Sequence, residues 1–163
     1  MKIVLIEPEI PQNTGSIART CAATNVELHL VGKLGFDISE KAVRRAGLDY
    51  WPHVQLYQHG GWQEFLEEQR PMRCWYFSTH ARTSIWEALF HQEDVLVFGS
   101  ETRGLGEAFR LSVPQEQLLM IPIDATKVRS LNLSNAVSIA LYEALRQTGG
   151  LVTDRAVPEG ERS

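Results

Sequence analysis

The polar side chains that could do chemistry are concentrated between Ile121 and Glu143, where the chain reads IPIDATKVRSLNLSNAVSIALYE. A strand ends at Pro122, a polar loop follows, and then polar residues precede an apolar helix: Ser130, Asn132, Ser134 and Asn135. One such residue suffices to cap a helix. The surplus indicates that some of these side chains bind a ligand.

A second candidate is the glycine-rich segment 98–105, Phe-Gly-Ser-Glu-Thr-Arg-Gly-Leu. Glycine lets a backbone approach a ligand closely, although Glu101 and Arg103 could simply pair at the surface. The segment has neither the Gly-Lys-Ser/Thr of a phosphate-binding loop nor the Gly-x-Gly-x-x-Gly of a dinucleotide site. Nucleotide hydrolysis and hydride transfer are therefore poorly supported.

Two further polar segments follow predicted strands. Asn13 and Arg19 stand near the start of a predicted helix, which Asn13 or Thr14 could cap. Arg19 is either a surface arginine or a guanidinium fork for a phosphate. The other segment, 77–80, turns polar where a strand ends. Ligands of open α/β sheets bind at such strand ends.

The histidine and cysteine content predicts neither a metal site nor a disulfide. No two of the five histidines have helical ligand spacing. Cys21 and Cys74 stand alone, which is typical of buried thiols in a reducing cytoplasm.

Length and composition predict one globular domain. The chain has 163 residues, of which 44% are hydrophobic and 22% charged. No apolar run approaches the roughly 20 residues of a membrane span, and residues 1–8 are predicted to form a first strand rather than a signal peptide. The net charge of −4 argues against wholesale nucleic-acid binding but allows local basic clusters. These clusters are Lys41, Arg44 and Arg45, and Lys127 and Arg129.

Predicted strands alternate with predicted helices, which favours an α/β domain with a mostly parallel sheet and helices on both faces. The predicted strands are Ile3–Ile6, Val26–Val31, His53–Tyr57, Arg73–Ser78, Val95–Phe98 and Leu118–Ile123. The predicted helices run from residue 13 or 14 to about 24, then over Ser39–Ala46, Trp62–Gln69, Gly106–Leu111 and 133–145. Thr83–His91 fits either type. We expect residues 1–148 to form the domain and 149–163 a flexible tail.

Taken together, these loops resemble those of the SPOUT (trefoil-knot) RNA ribose 2′-O-methyltransferases, over about residues 3–146. The matching motifs are Asn13-x-Gly15-x-x-x-Arg19, the segment 98–105, and Ile121-Pro122 with the segment 130–136. Three ordered motifs are more specific than any one. The small size and the segments 7–11 and 44–50 are most similar to the branch that methylates the wobble nucleotide of tRNA, a cytidine or a modified uridine.

The resemblance implies a C-terminal trefoil knot that binds S-adenosylmethionine, with no metal. It implies cofactor contacts from Phe77, Ser78, Gly99, Glu101, Ile121, Ser130 and Leu131. With Ser130 and Asn132 assigned to the ligand, Ser134 or Asn135 is left to cap the last helix. It gives catalytic roles to Arg19, Asn13, Glu101 and Asn132, and RNA contacts to Arg19, Arg44, Arg45, Lys127 and Arg129. A guanidinium keeps its proton at neutral pH. We therefore expect Arg19 to orient the ribose and stabilise developing charge, and the proton acceptor stays open.

The family also dimerises through its first and last helices, which implies a cytoplasmic homodimer that binds the anticodon stem-loop and no membrane. Small residues on the last helix, Ala136, Ala140 and Ala144, suit such a contact, although this face could equally cover the sheet. Three alternatives stay open: the same reaction on another tRNA position or rRNA, a non-catalytic RNA-binding module, and a flavodoxin-like nucleotide-binding domain. The intact motif residues disfavour the second, and the run 130–135 disfavours the third.

Overall fold

The computed structural model describes residues 1–39 and 49–150 of the chain. The described strands form a seven-stranded sheet of order β3-β2-β1-β6-β4-β7-β5, and every pairing between them is parallel. The strands are β1 Lys2–Ile6, β2 Glu27–Val31, β3 Leu56–His59, β4 Cys74–Phe77, β5 Thr83–Ser84, β6 Val95–Phe98 and β7 Leu118–Met120.

In the part of the chain that the structure describes, four α-helices cover the two faces of this sheet. They are α1 Pro11–Thr24, α2 Trp62–Gln69, α3 Glu107–Ser112 and α4 Leu133–Thr148. The same described residues include three short 3-10 turns, Trp51–His53, Ile85–Glu87 and Gln115–Gln117. Within the described residues, no helix has the length and hydropathy to cross a membrane.

The apolar strand sequences are explained by burial on both faces of the sheet. One core cluster joins Leu5 and Leu96 to Ile17 of α1 and Leu141 of α4, and all four side chains are buried. A second cluster on the other face contains Phe65 of α2. Strands covered on both faces read as continuous apolar runs. The predicted α/β class, with helices on both faces, is thereby confirmed.

Element boundaries differ from the prediction where prolines and short turns intervene. The third strand was predicted at His53–Tyr57 but occupies Leu56–His59, because Trp51–His53 forms a 3-10 turn around Pro52. The last strand ends at Met120 rather than Ile123. Thr83–His91 contains both the two-residue strand β5 and a 3-10 turn. The side chains of Ser84 and Glu87 cap the start of this turn reciprocally.

Several predicted features lie partly or wholly outside the described residues. Most of the predicted basic helix Ser39–Ala46, including Arg44 and Arg45, is among them, as is the predicted tail beyond Gly150. The trefoil knot stays a prediction.

A chain of buried polar side chains runs along the sheet beneath α2. His29 Nε2 lies 3.0 Å from a Glu27 carboxylate oxygen, and His29 Nδ1 lies 2.9 Å from His59 Nε2. Phe65 covers both rings edge-on. Burial lowers the pKa of His29 to about 4, so this ring is neutral at pH 7.

Candidate active site

A cleft of about 750 Å³ opens at the carboxyl ends of β4, β6 and β7. Its size lies within the range of roughly 300–1,000 Å³ usual for small-molecule sites. The stacked rings of Phe77 and Phe98, with centroids 4.6 Å apart, belong to its lining. The structure brings together around this cleft all seven residues predicted to contact a cofactor: Phe77, Ser78, Gly99, Glu101, Ile121, Ser130 and Leu131.

The glycine-rich loop after β6 folds back on itself. Ser100 and Gly104 exchange two backbone hydrogen bonds, of 3.1 and 2.8 Å. A Cβ placed on Gly99 would lie 1.9 Å from the carbonyl carbon of Gly104. The sequence predicts that Gly99 lets the backbone approach a ligand. The close approach that the structure shows is instead to the loop's own backbone.

Glu101 occupies the amino end of α1. Its carboxylate accepts hydrogen bonds from the backbone N–H groups of Glu9 and Ile10, at 2.8 and 3.0 Å, and from Asn13 Nδ2 at 3.2 Å. A negative charge is favourable at this end of a helix. The predicted caps Asn13 and Thr14 are therefore wrong: α1 begins earlier, at Pro11, without a side-chain cap on its N-cap residue Ile10.

The alternative that Glu101 pairs with Arg103 is also wrong. Arg103 instead forms a salt bridge of 3.2 Å with Glu7. A second contact between the glycine-rich loop and the segment before α1 was not predicted from the sequence, because it joins residues more than 90 positions apart. Here the Glu9 carboxylate accepts hydrogen bonds from the backbone N–H of Thr102 and from its hydroxyl, at 3.0 and 2.9 Å.

Asn132 joins the last motif to the first. Its Nδ2 donates a 2.9 Å hydrogen bond to Asn13 Oδ1. Its Oδ1 accepts from the backbone N–H of Ser134 at 2.9 Å and of Asn135 at 3.3 Å. Asn132 is therefore the N-cap of α4, and the prediction that Ser134 or Asn135 caps this helix is wrong. One amide both caps α4 and holds the three motif loops together.

The predicted cations lie in different places. Arg129 lines the cleft, and Lys127 is exposed in the same turn. Arg19 is exposed and does not line the cleft. Its guanidinium carbon lies 4.7 Å from the ring centroid of Tyr50, whose hydroxyl donates to the Gly15 carbonyl at 2.8 Å. Sequence analysis missed this role of Tyr50, since the ring orients Arg19 from a distant part of the chain.

Two of the small residues assigned to a dimer contact on α4 face the core instead. Ala140 and Ala144 are fully buried within the chain, so the alternative that this face covers the sheet is correct for both. The outward face of the helix carries Ile139 and Tyr142, which are 38% and 51% exposed. The neighbouring helix α1 is in contact with α4 through Thr20 and Ser138, whose hydroxyl oxygens are 3.5 Å apart.

The sequence matches the model of the SpoU rRNA Methylase family over residues 1–142, which is most of the chain. This chain belongs to the SpoU methylase family. A tRNA (cytidine(34)-2′-O)-methyltransferase of a Polaromonas species is 48% identical over 149 residues, which cover 90% of each chain.

Two solved SpoU-type structures agree with this assignment. One, from work on the 2-OH methylation of C/U34 on tRNA, has 46% sequence identity and a TM-score of 0.82, and covers 92% of this chain and 97% of its own. The other is the SpoU methyltransferase AviRb from Streptomyces viridochromogenes in complex with AdoMet. It has 26% identity and a TM-score of 0.75, and covers 90% of this chain and 60% of its own.

Proposed function

We propose that this chain transfers a methyl group from S-adenosylmethionine to the ribose 2′-hydroxyl of the wobble nucleotide, position 34, of tRNA. The observation that carries the proposal is the hydrogen-bonded link from Glu101 through Asn13 to Asn132, which joins three sequence motifs around one cleft. The likeness to relatives named for this reaction supports the choice of substrate.

The lining of the cleft fits an adenosyl ligand. Phe77, Ile121 and Leu131 offer apolar surface for a purine, and Ser78 and Ser130 add hydroxyl groups. A few polar groups on apolar walls are typical of such sites. When bound, S-adenosylmethionine supplies an electrophilic methyl group on a sulfonium. The residues that line the cleft would hold this group in place for in-line attack, and positioning can be worth roughly 7–11 kcal/mol in favourable systems.

Arg19 would contact the target nucleotide. A guanidinium fork suits a phosphate and can stabilise the charge that develops on a ribose oxygen. The contact with Tyr50 restricts the directions in which Arg19 can point. The network of Asn13, Glu101 and Asn132 would position the loops rather than touch the reacting atoms, since these side chains are already hydrogen-bonded to one another.

A homodimer through α1 and α4 would bring Arg19 to a cleft. Arg19 is exposed on α1 and outside its own cleft, and the adjoining face of α4 exposes Ile139 and Tyr142. A second copy packed on this surface would place Arg19 near the cleft of its partner. A twofold dimer would also pool dispersed cations, including Lys127 and Arg129, into one surface for the anticodon stem-loop. We place this reaction in the cytoplasm, where the free thiols Cys21 and Cys74 stay reduced.

Replacement of Arg19 tests the reaction. In Arg19→Ala we expect turnover of tRNA to fall by at least about 100-fold, the usual effect of removing one group that stabilises developing charge. Binding of S-adenosylhomocysteine, measured by calorimetry, should be unchanged. Arg70→Ala, an equally exposed arginine at the end of α2, is the control and should keep full activity. Normal turnover in Arg19→Ala contradicts the assigned role.

The substrate needs a separate experiment. Methylation assays on separated total tRNA and rRNA, followed by mass spectrometry of the nucleosides, should place a 2′-O-methyl group on nucleotide 34 of tRNA. Methylation of rRNA alone, or of another tRNA position, would retain the chemistry and overturn the proposed substrate.

A further inference from the structure

The polar chain beneath α2 ends in a cluster of possible metal ligands. His59 is 5% exposed and ends β3, the edge strand on the side of the sheet away from the cleft. Its Nδ1 lies 2.8 Å from a carboxylate oxygen of Glu68 on α2. Glu64, one helical turn earlier, completes the group, and the ligand atoms of the three residues all lie within 4.8 Å of one another.

The hydrogen-bond pattern of this chain requires one more hydrogen than two neutral imidazole rings and two carboxylates carry. Three contacts of 2.8–3.0 Å join Glu27, His29, His59 and Glu68, and each contact needs one hydrogen. A carboxylate only accepts, so with two neutral rings His29 donates from Nε2 to Glu27 and accepts at Nδ1 from His59. The remaining lone pair, on His59 Nδ1, then faces the Glu68 carboxylate.

We propose that His59, Glu64 and Glu68 bind a divalent metal ion of the zinc class. One imidazole nitrogen and two carboxylate oxygens are a donor set that suits Zn²⁺ and its neighbours. The metal would take the place of the proton that His59 Nδ1 otherwise needs opposite Glu68.

The groups behind His59 are those expected to orient a metal-binding histidine. Such a residue usually donates its other ring N–H to a neighbouring acceptor, which fixes the tautomer. His59 does so to His29, which in turn donates to Glu27, and Lys2 forms an ion pair with the same carboxylate. The Glu68 side chain is 52% exposed, which gives a metal ion access from solvent.

The spacing of the ligand atoms requires little movement. Zinc bonds of about 2.1 Å in tetrahedral geometry place ligand atoms about 3.4 Å apart. That separation lies between the observed contact of 2.8 Å and the outer limit of 4.8 Å. A bound ion would fasten the end of the edge strand β3 to α2. Its effect would be on stability, because the cleft lies at other strands of the sheet.

Zinc titration of the chelator-treated full-length protein tests the proposal. With ZnCl₂ we expect one ion per chain by calorimetry, and a Tm that rises with zinc concentration, since a ligand of the folded state stabilises it. Glu64→Gln and Glu68→Gln should each weaken zinc binding by at least about tenfold and remove most of the Tm shift. Both side chains are on the exposed side of α2, so these variants should fold.

Glu67→Gln, on the same helix and also exposed, is the matched control and should bind zinc like the wild type. Nitrogen-15 spectra of the histidines give a second readout: the Nδ1 resonance of His59 should shift when zinc is added. Absence of zinc binding, or equal affinity in the wild type and in Glu64→Gln and Glu68→Gln, would overturn the proposal.

Discussion

At the scale of single residues, the cleft depends on the backbone of the glycine-rich loop. Gly99 lets the two sides of this loop lie in contact, because the carbonyl carbon of Gly104 occupies the space that a Cβ would need. A side chain is therefore excluded at this position even though Gly99 has no positive φ.

Gly99→Ala should damage both stability and cofactor binding. We expect a loss of about 1–3 kcal/mol or more in the free energy of unfolding, the usual cost of overpacking, together with weaker binding of S-adenosylhomocysteine. Urea denaturation and calorimetry provide the two measurements. Gly61→Ala is the control, because an added Cβ there meets nothing within 4 Å and its φ of −169° is open to any residue. Equal effects in the two variants would contradict this account.

The two cysteines should be unreactive in the folded protein. Burial raises the pKa of the Cys21 thiol from 9.0 to about 12 and that of Cys74 to about 11. The thiolate is the reactive form, so an upward shift lowers its fraction at pH 8. Ellman's reagent should therefore detect almost no thiol in the native protein and two per chain after unfolding. Rapid native reaction of either cysteine would contradict the burial.

At the scale of elements, α4 begins at a residue with two functions. Asn132→Ala should cost about 1 kcal/mol of stability through loss of the cap. Asn132→Ser should cost little, because serine caps about as well as asparagine. Both variants lose the Nδ2 group that reaches Asn13, and the serine side chain is shorter than that of asparagine. Both should therefore show a raised KM for S-adenosylmethionine. Urea denaturation and initial-rate kinetics separate the two effects. A normal KM in Asn132→Ser would show that the link to Asn13 does not position the site.

Sequence patterns predicted the elements well where a periodic signal was strong. The final helix, the buried strand Val95–Phe98 and the helix Trp62–Gln69 all occur where apolar spacing placed them. The cap of α1 was mispredicted, because the group at its amino end comes from residue 101 and not from the adjoining sequence. The side chains that line the cleft were identified by resemblance to a family. Their hydrogen bonds to one another are long-range and have no local signal.

At the scale of the whole molecule, the proposed dimer makes a specific surface essential. Ile139→Asp places a charge on the outward face of α4 and should convert a dimer into monomers, with loss of methylation. Light scattering coupled to size-exclusion chromatography measures the mass. Leu111→Asp, on α3 and 72% exposed, is the matched control and should leave the mass unchanged. A wild-type protein that is monomeric at micromolar concentration, or a dimeric Ile139→Asp variant, would contradict the proposed interface.

The carboxylate at the start of α1 also sets an order of events during synthesis. The backbone N–H groups of Glu9 and Ile10 donate to the carboxylate of Glu101, which is synthesised more than 90 residues later. On the ribosome, the amino end of the first helix therefore lacks the Glu101 carboxylate until the glycine-rich loop has emerged. Contacts of such long sequence separation slow folding. The loop that carries Glu101 also lines the cleft, so a chain interrupted before residue 101 would lack both the partner of α1 and this wall of the cleft.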